Sequence, residues 1–203
     1  MYSARPPFFY RMFSPGKLLC EVPGQEKVLY LTFDDGPVPE TTPEVLDILR
    51  SYRVKATFFM VGQNVRKNPD ICHRILDEGH AIGNHTYSHL NGRRTPPGSY
   101  VENVNRCNEL FTTTLFRPPF GRFTPSEYLL LRKQFRFVLW SVLTGDYHVG
   151  ISPEKCLRNA LAYSKAGSIV VFHDSIKARE KVLAVLPAFL DHFLGKGFAF
   201  RTL

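Results

Sequence analysis

The fold of this chain is decided by the stretch Val28-Leu29-Tyr30-Leu31-Thr32-Phe33-Asp34-Asp35-Gly36-Pro37. Residues 28–33 are apolar, aromatic or β-branched, which predicts a buried β-strand. The Gly-Pro pair that follows predicts a turn at the end of this strand. Two adjacent carboxylates, Asp34 and Asp35, therefore stand at the carboxyl end of the strand.

The two neighbouring carboxylates pose a geometric problem. Adjacent side chains on a strand point to opposite faces, so Asp34 and Asp35 serve one site only if one of them leaves the strand geometry. The turn at Gly36-Pro37 permits this, and a metal ion would offset the repulsion between the two charges. An isolated Asp-Asp-Gly-Pro segment is more often a solvated turn, so this segment alone does not identify a site.

Apolar runs alternate with helix-like segments along the rest of the chain, which is typical of a mostly parallel sheet joined by crossover helices. We predict an α/β fold in which seven strands close into a barrel. Thr42 is the expected cap of the first helix, with Pro43 at its first position, and Gly195 is an expected helix stop. The predicted strands are 28–33, 56–61, 81–83, 115–117, 137–142, 168–172 and 198–201, and the further predicted helices are 69–78, 99–111, 124–135, 153–164 and 178–194.

The composition is that of an ordinary globular protein of 203 residues, with 44% hydrophobic and 22% charged residues. A chain of this length fits one domain. No apolar run approaches the roughly 20 residues of a membrane-spanning helix, so we predict no membrane span. The net charge of +8 comes from scattered basic residues, and we expect no nucleic-acid partner.

Residues 1–25 are predicted to form an N-terminal arm packed on a domain that covers residues 26–203. In this arm Arg5 and Arg11 flank a run of prolines and aromatic residues. The arm lacks the apolar core and the cleavage site of a secretory signal. We therefore expect a cytoplasmic protein, and we expect it to be a monomer. The four cysteines lie far apart with no Cys-x-x-Cys pair, which excludes a zinc ribbon and a dense disulfide framework.

A second polar cluster follows the third predicted strand, in the segment Gly83-Asn84-His85-Thr86-Tyr87-Ser88-His89. Two histidines four residues apart would share a helical face and could chelate one divalent ion. Together with one carboxylate they would make a two-histidine, one-carboxylate site with positions open for water, which is typical of a catalytic metal centre. Such a histidine pair also occurs often by chance.

Three further polar clusters follow the later strands, in residues 117–121, 140–147 and 170–175. Each cluster alone is more often structural. In parallel α/β folds, however, the carboxyl ends of the strands meet at one edge, where reactive groups gather. Five polar clusters at this edge therefore indicate an active site.

At these five clusters the sequence resembles the polysaccharide deacetylases, also called carbohydrate esterase family 4 or the NodB homology domain. The five motifs of that family occur in order as residues 32–37, 85–89, 117–121, 140–147 and 171–173. The resemblance covers residues 26–203 and implies that they form a catalytic domain folded as a distorted (β/α) barrel. It also implies a deacetylase whose partner is an N-acetylated glycan.

The resemblance implies a metal and two proton carriers. Zinc, or a similar divalent ion such as cobalt, would be bound by Asp35, His85 and His89. Asp34 would be the general base and His173 the general acid. These roles suit amide hydrolysis, which needs an attacking water that loses a proton and a leaving amine that gains one.

The resemblance also implies groups that support the proton carriers. Arg117 would hold Asp34 ionised. An acidic His173 needs a nearby carboxylate to raise its pKa, and the residues themselves leave Asp146 and Asp174 open for this role. The resemblance implies Asp146.

The remaining roles concern substrate binding. The resemblance implies that the backbone N–H of Phe120, beside Pro119, faces the developing oxyanion. Val171 and the ring of Tyr147 would line a small slot for the acetyl methyl group. The family often has Trp at the position of Tyr147 and Asp at the position of Leu143, so the shape of this slot and the identity of the sugar stay open.

Three functions are compatible with these residues. The first is hydrolysis of the N-acetyl amide of GlcNAc or MurNAc units in peptidoglycan, chitin-like oligomers or a related glycan. The second is an O-acetyl esterase, for instance on xylan, because the same groups attack esters. The third is a catalytically silent carbohydrate-binding module, which would have no need for a base and an acid around a metal.

Overall fold

The computed structural model describes residues 18–24 and 26–203. The predicted arm therefore lies mostly outside the described residues and stays a prediction. Its described part contains strand β1 (Leu18–Leu19), which pairs in parallel with a later strand and buries both leucines. This strand was not predicted, since two residues carry no recognisable periodicity.

The described residues contain nine short strands and seven α-helices. After β1 the strands are β2 (Val28–Asp34), β3 (Thr57–Met60), β4 (Ala81–Asn84), β5 (Leu115–Phe116), β6 (Arg136–Val138), β7 (Val142–Leu143), β8 (Ile169–His173) and β9 (Ala199–Phe200). The helices are α1 (Thr42–Ser51), α2 (Gly62–Lys67), α3 (Pro69–Asp77), α4 (Pro97–Asn108), α5 (Pro125–Leu131), α6 (Pro153–Tyr163) and α7 (Arg179–Gly195).

The strands form one parallel sheet that curves into a barrel, and an isolated bridge between Glu21 and Ser168 links the region after β1 to the region before β8. Their order is β1-β6-β5-β4-β3-β2-β8-β7, with β9 added beside β2. Strand β6 is second from one end of this order, beside β1, and β7 is at the other end, yet only residues 139–141 separate β6 from β7. Leu139 donates a backbone hydrogen bond to Leu19 at one end, and Ser141 donates one to Ile169 at the other. The predicted distorted α/β barrel is therefore confirmed.

Four details of the predicted elements are wrong. The predicted strand 137–142 is divided into β6 and β7, because it crosses from one end of the sheet to the other. Helix α2 was missed, since six residues are too few for a helical pattern. Helix α1 is capped by Thr41 rather than Thr42. The left-handed residue after α7 is Gly197, with φ of 75°, while Gly195 is the last helical residue.

The inside of the barrel is packed by large side chains from alternate strand positions. Leu19, Phe59, Val138 and Ile169 form one buried cluster there. The ring of Phe59 requires Gly83 on the neighbouring strand, because a Cβ at residue 83 would lie 2.4 Å from the ring. On the opposite face of their strands, Phe33, Phe58 and Phe172 belong to the main core under the helices.

One charged side chain shares the barrel interior. Arg117 follows β5, is 0% exposed, and has its guanidinium carbon 4.0 Å from the centre of the Phe59 ring. A buried guanidinium is stable only where all its donors find partners. Its partners lie at the carboxyl edge of the sheet, where the polar clusters gather.

The described part of the chain includes no helix that is both long enough and apolar enough to span a bilayer.

Candidate metal centre and active site

Asp34 and His173 lie side by side at the carboxyl edge of the sheet. They end strands β2 and β8, and they are direct partners in the parallel register of these strands. The Asp34 carboxylate is almost fully buried, and the His173 side chain is 11% exposed. Two groups able to carry protons therefore stand next to each other on adjacent strands.

Asp35 leaves the strand geometry, as it must if both carboxylates serve one site. Its φ of 81° lies in the left-handed region, which a residue with a Cβ rarely adopts. The Asn64 side-chain amide donates a hydrogen bond of 2.7 Å to the Asp35 carbonyl. This turned backbone lets the Asp35 side chain reach the two histidines of the second cluster.

Asp35, His85 and His89 form a group whose ligand atoms all lie within 4.8 Å of one another. The Asp35 Oδ1 is 3.6 Å from His85 Nε2 and 3.1 Å from His89 Nε2. Three ligands placed about 2.1 Å from one zinc ion at tetrahedral angles would lie about 3.4 Å apart. The three donors therefore fit a single divalent ion.

The His85 ring is oriented for such an ion. Its Nδ1 lies 2.7 Å from the Arg117 carbonyl oxygen, and because a carbonyl only accepts, Nδ1 carries the hydrogen. The Nε2 lone pair is left directed toward Asp35. Burial lowers the pKa of His85 to about 4, despite the opposing charge of Asp34, so the ring is neutral at pH 7 and available as a ligand.

The surroundings of Asp35 also keep its carboxylate in the ionised form that a metal ligand needs. Burial would raise the pKa of Asp35, but the hydrogen bond from His89 and the charge of His173 lower it well below its usual range. The carboxylate is therefore ionised at any pH at which the protein would work, as a metal ligand must be.

The expectation that the two histidines share a helical face is wrong. The segment after β4 is a loop in which Thr86 and His89 have φ of 65° and 56°, and two left-handed residues cannot belong to an α-helix. The two rings nevertheless meet, with centroids 5.1 Å apart. The Asn84 side chain supports the loop by accepting a hydrogen bond from the Thr86 N–H.

Backbone strain is concentrated at this site. Five residues other than glycine have positive φ in the described part of the chain, and four of them, Asp35, Thr86, His89 and Phe120, lie in the polar clusters. Each such residue costs on the order of 1 kcal/mol or more and persists only where its surroundings hold it. This distribution supports a functional role for the edge.

Arg117 contacts Asp34 directly. Its Nη1 donates to Asp34 Oδ1 at 2.6 Å and to the Thr32 hydroxyl at 2.8 Å. Its other donors reach the carbonyl oxygens of Val138 and Leu139. The cation is thus fixed on all sides, and one of its partners is the carboxylate beside the metal group.

His173 is paired with Asp146 and not with Asp174. Its Nδ1 lies 2.8 Å from Asp146 Oδ1, and its backbone N–H donates to Asp146 Oδ2 at 2.6 Å. Burial would lower the pKa of His173, but the charge and the hydrogen bond of Asp146 raise it to about 9. The imidazole is therefore protonated at neutral pH, and the Asp174 carboxylate binds elsewhere.

The four predicted substrate-binding residues lie around these groups. The Tyr147 ring is 4.7 Å from the His173 ring. Val171 is fully buried two residues before His173, on the same face of β8. The exposed Phe120 ring forms a T-shaped pair with the His89 ring, with centroids 4.8 Å apart, and Pro119 before it is buried.

Comparison with known proteins identifies the family. The sequence pattern described as polysaccharide deacetylase matches residues 21–136, more than half of the chain. This chain belongs to the polysaccharide deacetylase family. The resemblance found in the sequence is therefore confirmed, and relatives named as deacetylases are hydrolases of the kind the site predicts.

Two relatives of this polysaccharide deacetylase have names that state an activity. A peptidoglycan-N-acetylglucosamine deacetylase of Bacillus cereus is 35% identical over 195 residues, which cover 92% of this chain and 91% of the relative. A chitooligosaccharide deacetylase of Bradyrhizobium is 32% identical over 182 residues, covering 85% of this chain and 82% of the relative.

A solved structure matches the polysaccharide deacetylase fold closely. It is the crystal structure of a peptidoglycan N-acetylglucosamine deacetylase in complex with 4-naphthalen-1-yl-N-oxidanyl-benzamide. The match has a TM-score of 0.88 at 34% identity and covers 92% of this chain and 91% of that chain. The architecture around the site is therefore that of the family.

Two residues of the site were given no role by the sequence. Asn64, which binds the Asp35 carbonyl, lies on the unpredicted helix α2. Thr32 receives a hydrogen bond from Arg117 and itself donates to the Val170 carbonyl, linking β2 to β8. A polar residue within an otherwise apolar strand was the available signal for Thr32, whereas Asn64 carried none.

Proposed function

We propose that this polysaccharide deacetylase hydrolyses the N-acetyl amide of GlcNAc or MurNAc units in peptidoglycan, a chitin-like oligomer or a related glycan. The observation that carries the proposal is the position of Asp34 and His173, on adjacent strands beside the Asp35, His85 and His89 group. The names of the relatives from Bacillus cereus and Bradyrhizobium support this substrate class.

Asp35, His85 and His89 would hold a divalent ion, and zinc is our proposal, with cobalt as a substitute. When bound, such an ion polarises the attacking water and shares the negative charge that develops on the carbonyl oxygen. The mixture of two imidazoles and one carboxylate, with positions left for water and substrate, suits zinc in a catalytic role.

Asp34 acts as the general base. It takes a proton from the water that attacks the acetyl carbonyl, for which a carboxylate must be ionised and close to the metal group. The guanidinium of Arg117 donates a hydrogen bond of 2.6 Å to this carboxylate. Arg117 also limits the movement of the carboxylate, so that the base is positioned before the substrate binds.

His173 acts as the general acid. Amide cleavage releases an amine, which is a poor leaving group unless it is protonated as the C–N bond breaks. Asp146 keeps the imidazole protonated and fixes the orientation of its ring through Nδ1, so the proton donated to the amine is on Nε2.

The surrounding groups bind the acetyl unit. Tyr147 and Val171 line the slot for the methyl group, next to His173. The left-handed backbone at Phe120 aims its N–H at the developing oxyanion, and the buried Pro119 restricts the loop that carries it. An oxyanion donor of this kind typically contributes about 10²–10³ to the rate.

The proposal is tested by acetate release from GlcNAc oligomers, muropeptides and acetylated xylan, with and without a metal chelator. We expect release from the N-acetylated substrates, loss with chelator and recovery with added zinc. Release from acetylated xylan alone would make the protein an O-acetyl esterase. Absence of release from every substrate in zinc-loaded protein would overturn the enzymatic function in favour of a carbohydrate-binding module.

A further inference from the structure

Asp174 is a buried carboxylate at the active-site edge that neither the metal group nor the proton carriers use. It follows His173 and is 1% exposed, and its carboxylate accepts hydrogen bonds from Gly36 and Thr42. Its backbone N–H donates to the Asp34 carbonyl at 3.1 Å. A buried charge needs strong partners, so its side-chain contacts are informative.

The Asp174 carboxylate binds the turn that follows Asp35. Its Oδ1 accepts a hydrogen bond of 3.0 Å from the Gly36 N–H, and its Oδ2 accepts one of 2.7 Å from the Thr42 hydroxyl. Thr42 in turn accepts a hydrogen bond of 2.8 Å from the Val38 N–H. One carboxylate thereby connects the beginning of the turn to the first residue of α1.

The contact between Asp174 and the turn is close enough to exclude other residues at position 36. A Cβ there would lie 1.9 Å from Asp174 Oδ2, which explains the glycine of the Asp-Asp-Gly-Pro segment. The Gly36 N–H belongs to the peptide unit that joins Asp35 to Gly36, and the backbone conformation of Asp35 sets the orientation of this unit. Holding the Gly36 N–H therefore holds the strained left-handed conformation that turns Asp35 toward His85 and His89.

We infer that Asp174 is a positioning residue for the metal centre, acting through Gly36 on the conformation of Asp35. The Asp174 carboxylate and the Asn64 amide hold the two polar groups of the peptide after Asp35, and the Asp174 backbone N–H binds the Asp34 carbonyl of the peptide before Asp35. Hydrogen-bonding groups of this kind behind metal ligands typically change metal affinity by about 10–100-fold. The inference rests on the proposed function of the site.

The test compares Asp174→Ala and Asp174→Asn with the wild-type protein. Zinc affinity is measured on metal-free protein by competition with a chromophoric chelator, and kcat and KM are measured on a chitooligosaccharide at saturating zinc. For Asp174→Ala we expect a zinc Kd raised about 10–100-fold and a lower kcat, with KM little changed. Asp174→Asn keeps an acceptor for Gly36 and a partner for Thr42, so its zinc Kd should stay within about 3-fold.

Ser168→Ala is the matched control. The Ser168 hydroxyl is equally buried and accepts a hydrogen bond from the Lys165 N–H, but it lies at the opposite end of β8. Its removal should leave the zinc Kd unchanged. If Asp174→Ala does not fold, the zinc Kd is measured on Thr42→Val instead. This variant removes the hydroxyl that is bound to Asp174, and it should still raise the zinc Kd.

Unchanged zinc affinity and kcat in folded Asp174→Ala, or in Thr42→Val where the first variant does not fold, would overturn the positioning role alone. An Asp174→Asn variant as defective as Asp174→Ala would also overturn it, since the amide oxygen still accepts the hydrogen bond from the Gly36 N–H. Failure of the wild-type protein to bind zinc and to release acetate would instead overturn the proposed function.

Discussion

The guanidinium of Arg117 crosses the inside of the barrel and donates a hydrogen bond of 2.6 Å to the carboxylate of Asp34, and both side chains are buried. The arginine comes from the loop after β5 and the aspartate from the end of β2, with β4 and β3 between them in the sheet. The pair therefore couples the stability of the barrel to the position of the base.

Replacing Arg117 by leucine should lower the free energy of unfolding by about 3–5 kcal/mol, because Asp34 would be left as a buried and unpaired charge. Urea denaturation followed by circular dichroism measures this difference. Adding Asp34→Asn to the same protein removes the charge and should recover part of the loss. A loss below about 1 kcal/mol in the single variant would contradict the pairing.

Asp34→Asn should retain bound zinc and lose about 10²–10⁴ in kcat, because the amide cannot accept the proton of the attacking water. The amide oxygen can still accept the hydrogen bond from Arg117, so the fold is kept. Zinc content and steady-state kinetics are measured on the same preparation, with exposed Asp70→Asn as the control. Turnover at the wild-type rate would exclude Asp34 as the base.

His173→Ala should abolish amide hydrolysis and spare the hydrolysis of activated aryl acetates. An amine must be protonated as it leaves, whereas a nitrophenolate leaves without help. The measurement compares kcat/KM for a chitooligosaccharide with that for 4-nitrophenyl acetate. An equal loss on both substrates would argue against the acid role.

The pH dependence of amide hydrolysis should show a fall in kcat/KM as the pH rises through about 9, where His173 loses its proton. Since its folded pKa lies above the ordinary 6.5, the charged His173–Asp146 pair also stabilises the fold, fully below about pH 6.5, and this contribution is lost as the pH rises from there to about 9. Asp146→Asn removes the charge that raises this pKa. The fall in kcat/KM at high pH should therefore move to lower pH in this variant. If the fall does not move, it reports the titration of a group other than His173.

Much of the site could be predicted because its signals are local. A strand of apolar and β-branched residues followed by Gly-Pro places Asp34 and Asp35 at a sheet edge, and parallel strands bring such edges together. The same reasoning applies to His85 and His173, each of which lies at or just after the end of a strand.

The parts that sequence reasoning missed depend on contacts between distant residues. The approach of His89 to Asp35 requires left-handed residues in a loop, which no helical periodicity describes. The division of the strand at 139–141 follows from closure of the barrel, which is a property of the whole sheet. Nothing local distinguishes Asp146 from Asp174 as the partner of His173, since both are carboxylates after strands and only the folded chain orients them.

The central claim is that Asp35, His85 and His89 hold one divalent ion on which deacetylation depends. The most direct measurement is zinc stoichiometry, with acetate release on the same samples, for the wild type, His85→Ala and His80→Ala. His80 is a buried histidine that accepts a hydrogen bond from the Ala56 N–H, away from the site. We predict one zinc per chain and activity in the wild type and in His80→Ala, and neither in His85→Ala. Stoichiometric zinc with full activity in His85→Ala would contradict the claim.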